Sequence, residues 1–170
     1  FLRDLVRTTV SVSVVLRSGA TKKPYGGAGV LLDWSGHILT NDHILVGPDA
    51  YTTSASAPHV EASIAFCDLG KDDLPHCTGA HRAAVIRRDP FPRGADLALL
   101  RLCNEATPPP NARLAEFAKT VPAIGEVLWR VGRDPVPIVM GYYLESILGL
   151  KEFRVGFPVA PGASGGPIFN

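Results

Sequence analysis

The chain has no excess of either charge: 17 Lys and Arg stand against 16 Asp and Glu, leaving +1 over 170 residues. That balance exerts no general pull toward nucleic acid or an anionic membrane. No apolar run approaches the roughly 20 residues of a membrane-spanning helix. Cysteine is scarce. Cys67, Cys77 and Cys103 are an odd number and too few for a disulfide scaffold. Cys67 and Cys77 could close a short loop, which would still leave one thiol; whether they pair, and the redox compartment, stay open. Phe1-Leu2-Arg3-Asp4 shows no charged stretch followed by an apolar core and a cleavage site, so no signal peptide is read there. A start at Phe1 rather than Met reads as a processed or partial product. What is present suffices for a core: 46% of residues are hydrophobic and 19% charged, which excludes a disordered chain.

Long helical periodicity is also scarce, while 17 glycines and 15 prolines are scattered throughout. Short apolar stretches between turn residues predict an all-β protein. Val10, Val12 and Val14 alternate with Ser11 and Ser13, a strand with one wet face. Gly29–Leu32 and His37–Thr40 flank Asp33-Trp34-Ser35-Gly36, a hairpin signal. Val60–Phe66, Ala83–Arg87 and Leu97–Leu102 predict further strands, and the nearly unbroken apolar run of the last predicts deep burial. Three consecutive prolines, Pro108 to Pro110, cannot sit inside a central strand or a helix. Residues 104–122 therefore read as a connection between a first lobe, 1–103, and a second, 123–170. Val127–Val131, Ile138–Ile147 and Phe153–Phe157 supply the second lobe's strands. No internal repeat is evident.

The strongest chemical signal is Pro161-Gly162-Ala163-Ser164-Gly165-Gly166-Pro167. A lone motif of this kind is as well explained by a glycine-rich turn. The sharper reading is a nucleophile loop, in which glycines bend the backbone to project the Ser164 hydroxyl and gather N–H groups into an anion-binding nest. A serine hydroxyl needs an adjacent base, and the base an orienting group. Of five histidines, His43 stands out, just after an apolar strand and beside small polar residues. His37 opens that strand, and His59, His76 and His81 read as loop residues. Asp96 precedes the most apolar strand, where a carboxylate is costly unless used. Asp89 is the runner-up but suits a turn. Asp42 adjoins His43 and would point elsewhere. The chain order His43, Asp96, Ser164 differs from the other serine-hydrolase orders, Ser–acid–His and Asp–His–Ser.

On an all-β background this order makes the sequence resemble the trypsin-like serine proteases of the chymotrypsin fold, closest to their HtrA/Deg-type branch. The matching stretches are Gly27–Asp33, Gly36–His43, Ala95–Leu102, Ile124–Gly132 and Pro161–Phe169. The resemblance implies a two-lobed antiparallel β-barrel fold and a serine endopeptidase. Ser164 would be its nucleophile, His43 its base and Asp96 the orienting acid, with the N–H groups of Gly162 and Ser164 as the oxyanion hole. It implies no cofactor or metal and a polypeptide substrate, and it favours a secreted or periplasmic location. The position six before the serine, Pro158, would floor the primary pocket; being uncharged, it favours apolar or small substrate side chains. The family continues past the serine loop for further strands, so the second barrel reads as truncated, its remainder disordered, cleaved or on another chain. Oligomeric state stays open.

Three other readings compete. The first is an inactive scaffold or binding protein of the same fold. The second is a zinc module of Cys67, His76, Cys77 and His81, with suitable ligand types but unfamiliar spacing. The third is a nucleic-acid contact through Arg82, Arg87, Arg88 and Arg93, for which a solvated face is the plainer explanation.

Overall fold

Val10, Val12 and Val14 are almost wholly buried on strand β1 (Thr9–Ser18), and their period of two sets one face of the strand against an interior. Ser13 faces water on the other side, whereas Ser11 is covered. A computed structural model describes residues 1–18, 21–47, 59–90, 93–132, 138–147, 152–156 and 164–169. In it β1 continues into β2 (Thr21–Leu31), β3 (His37–Asn41), a short helix α2 (Asp42–Val46), β4 (His59–Leu69), β5 (Pro75–Asp89) and β6 (Leu97–Leu102), after an opening helix α1 (Leu2–Thr8). The strands close into a barrel in the order β1-β2-β3-β6-β5-β4, every pairing antiparallel. Closure leaves the barrel without an exposed edge.

The fold is all-β with antiparallel sheets, as expected. The barrel is filled by Val10, Val12, Val14, Leu31, Ile38, Ile64 and Leu100, with Ile44 and Leu45 of α2 in the same cluster. The expectation of deep burial for the whole Leu97–Leu102 run is corrected. The strand alternates, with Ala98 and Leu100 buried and Leu97 39% exposed. A barrel strand has only one inward face, and an apolar residue on the outer one stays wet. His59, His76 and His81 likewise lie on strands β4 and β5, not in loops. Residues 104–122 form no regular element but are tied down. Arg113 donates its main-chain N–H to Arg7 and Ala115 donates to Leu31, at 3.0 and 2.7 Å.

Beyond them, β7 (Val127–Arg130), β8 (Val139–Ile147), β9 (Glu152–Val155) and β10 (Ile168–Phe169) make a four-stranded sheet ordered β10-β7-β8-β9. Helix α1 reaches both sheets. Leu5 and Val6 share a cluster with Cys67 of β4, Trp129 and Val131 at β7, and Phe169 of β10. The Phe1 and Trp129 rings meet edge to face at 5.8 Å. Cys67 and Cys77 face each other across β4 and β5 and form a disulfide. That removes two of the four ligands from the zinc reading, and no cluster of metal-binding side chains occurs among the described residues.

Arg7 of α1 grips Asp68 of β4 through two hydrogen bonds of 3.1 and 2.9 Å. The hydrogen bond from Arg7 outweighs desolvation and holds the Asp68 carboxyl below its usual range. A carboxylate lowered in the folded state stabilises fully above its unfolded value of about 3.9 and ceases to as pH falls through the lowered one. Asp68→Asn should therefore lower the melting temperature near neutral pH and leave it less sensitive to acid. The variant and parent curves should converge well below pH 4. Thermal melts across pH 2–7 check this, and parallel curves over that range would remove Asp68 from the acid response.

Candidate active site

His43 is the second residue of α2, which follows directly on strand β3. Asp96 sits one residue before β6, which pairs with β3 so that Asn41 faces Leu97. This pairing brings residues more than fifty apart in sequence to the same barrel end. His43 Nδ1 lies 2.7 Å from Asp96 Oδ2, and the His43 main-chain N–H donates to Asp96 Oδ1 at 2.9 Å. A carboxylate only accepts hydrogen bonds, so Nδ1 is the donor, and in the neutral ring that makes Nε2 the acceptor. The imidazole is about one-third exposed and the carboxylate one-quarter, so the dyad can meet solvent on one side.

Asp96 is held in place by its main chain as well. Its φ of +56° is left-handed, a conformation that costs an L-residue about 1 to 3 kcal/mol, though Asp tolerates it better than most. The Asp96 carbonyl accepts from Asp42 N–H at 3.1 Å and from Asn41 Nδ2 at 2.9 Å. These bonds supply the surroundings that fix the strained residue.

Ser164 lies in the turn before β10, exposed to solvent. Its carbonyl accepts the Ala28 N–H of β2 at 2.7 Å. Gly165 has a φ of +77°, and a Cβ there would collide with the Ala28 carbonyl, the Thr40 hydroxyl and the end of Ile44. A Cβ on Gly27 would meet the Ser164 carbonyl and Ile44. The glycines thus let the serine segment lie directly on β2 and on Thr40 and Ile44, which flank the Asn41-Asp42-His43 stretch. Behind it a recess of about 270 Å³ is walled by Leu39, Leu97, Phe117, Gly165 and Ile168, but not by His43 or Ser164. Gly162 and Pro158 fall outside the described residues.

The remaining candidates have other partners. His37 Nδ1 lies 2.7 Å from Asp33 Oδ2 within its own hairpin. Burial pulls the Asp33 carboxyl upward, but hydrogen bonds from the His37 side chain and main chain overcome this and lower it. His76 contacts Asp72 at 2.8 Å. Asp89, expected in a turn, is instead the last residue of β5, and its carboxylate accepts the Ala95 N–H at 2.9 Å. Asp42 points away from the His43 ring, as expected, and is wholly buried. Its partner is Arg88 of β5, which corrects the solvated-face reading for that arginine. A lone acid inside the run Asp42-His43-Ile44-Leu45-Val46 was the only sequence sign of this pair.

The trypsin-like peptidase domain, compared as a family with this chain, matches it over residues 27–170. No curated protein matches the chain.

Proposed function

The chain belongs to the trypsin-like peptidase domain family, and from that premise we propose that it is a serine endopeptidase working through Ser164, His43 and Asp96. The observation that carries the reading is the two-point grip of Asp96 on His43, one oxygen on the main-chain N–H and the other on Nδ1. In the neutral ring such a grip places the proton on Nδ1 and makes Nε2 the nitrogen able to accept one.

In this reading Ser164 Oγ attacks the carbonyl carbon of a peptide bond while His43 Nε2 takes its proton. Asp96 stabilises the imidazolium without taking that proton itself. The tetrahedral oxyanion is met by the N–H groups of Gly162 and Ser164. Collapse expels the amine, protonated by His43, and leaves an ester on Ser164 that water hydrolyses by the same steps. Ala163 between the two donors does not affect main-chain groups. By the family's pattern the position six before the serine would floor the primary pocket; an uncharged Pro158 there would favour apolar or small residues over basic ones. Leu39-Thr40-Asn41-Asp42-His43 and Ala95-Asp96-Leu97-Ala98-Leu99-Leu100 support a place in the HtrA/Deg-type branch.

A fluorophosphonate probe tests the reading directly. Wild-type protein is expected to take up one phosphonyl group, mapped by peptide mass spectrometry to Ser164, and His43→Ala to react far more slowly. A folded wild type that stays unlabelled would instead be a binding protein built on a peptidase fold.

A further inference from the structure

The acid beside the histidine is not the one that holds its ring, and the chemistry above makes no use of it. Asp42 is fully buried, and its two oxygens receive Nε and Nη2 of Arg88 at 2.5 and 2.9 Å. Taking a carboxylate out of water costs several kcal/mol, and an apolar side chain of similar size commonly does as well or better for stability. A forked guanidinium–carboxylate pair adds direction: it fixes the angle between the groups it joins.

Here those groups surround the dyad. Arg88 projects from β5, which pairs with β6 so that Arg88 faces Ala98, two residues past Asp96. The main-chain N–H of Asp42 donates to the Asp96 carbonyl. Asp42 therefore ties the start of α2 to β5 by its side chain and to Asp96 by its amide. Helix α2 has only five residues and no side-chain cap at its N-terminus. A single turn does not set its own orientation, so external ties must.

We propose that the ion pair between buried Asp42 and partly exposed Arg88 is a positioning device that fixes the rotation of α2 and so aligns the His43 imidazole with Asp96. The proposal rests on the reading of His43 and Asp96 as base and orienting acid, while the pair itself touches no reacting atom.

The test compares Asp42→Asn, Arg88→Gln and the double variant in two measurements. The first is the rate of fluorophosphonate reaction and the kcat and KM of peptide hydrolysis. Each single variant should lose about tenfold to a hundredfold in rate, the scale of a misplacement near 1 Å. The loss should fall on kcat rather than KM, and the double variant should be no worse than the poorer single one. The second needs no turnover: the low-field proton resonance of His43 Nδ1–H should be present in the wild type and broadened or shifted in each variant. Arg88→Gln leaves a buried carboxylate without its cation. If it fails to fold, Arg88→Lys keeps the charge but not the fork and should still lose rate.

Folded variants with wild-type rate and an unmoved resonance would overturn the proposal. So would Arg88→Lys with a wild-type rate, or additive losses in the double variant. A wild type inert to the probe would instead sink the peptidase reading. The resonance would then decide the positioning role alone, and its absence from the wild type would end that too.

Discussion

Ser164→Ala should lower the turnover of an unstructured polypeptide by about six orders of magnitude, the size of loss seen when a serine protease nucleophile is removed. The side chain is exposed in its turn, and nothing else in that turn can form the ester. Ala28 N–H and the Ser164 carbonyl are main-chain partners, so alanine keeps the loop seated and the melting temperature nearly unchanged. The residual rate would come from N–H groups polarising a bound carbonyl. Hydrolysis of a fluorescein-labelled substrate, with phosphonate labelling as the active-site count, measures it. A variant retaining even about a hundredth of the parent rate would show that another group does the attacking, since the nucleophile and base act as one unit.

Asp96→Asn should cost about four orders of magnitude in turnover, and the geometry gives a specific reason. One Asp96 oxygen accepts the His43 main-chain N–H. In the variant only the amide oxygen can take that place, because two donors cannot face each other. The amide nitrogen must then face Nδ1, forcing the ring proton onto Nε2, where it blocks the removal of the serine proton. Little packing is lost, so the melting temperature should fall modestly while kcat collapses and KM stays close to the parent value. Steady-state kinetics on the folded variant would contradict the assignment if turnover stayed within tenfold.

How much of this could be read from residues alone depended on range. The β6 boundaries, Leu97 and Leu102, and the turn at Asp33–Gly36 are local matters of apolar content and glycine placement, and both were legible. So were His43 and Asp96 as neighbours, because a polar residue at the mouth of an apolar strand is a local anomaly. The outward face of Leu97 was not legible, since a uniformly apolar run carries no mark of which side meets water. Strand β5 was read at Ala83–Arg87 but runs from Pro75 to Asp89. Its flanks are largely exposed polar residues, held by pairing to β4 and β6 rather than by an apolar pattern. Helix α1 escaped notice for a related reason. Seven residues give too short a period to distinguish, and its stability comes from the surfaces it covers. The Arg88–Asp42 pair joins positions 46 apart, and such a partnership exists only once the barrel has closed.

The cluster beneath α1 joins Leu5 and Val6 to Phe169, so residues far apart in the sequence share one patch of buried surface. Contacts of such long span carry a larger loop-closure entropy than the barrel's own pairings. The barrel's own pairings close shorter loops than that seam does, so the barrel would close first, and Ser164, five residues before Phe169, would settle onto β2 as the seam forms. The serine would then reach its place after the bulk of the barrel's hydrophobic stabilisation is in place.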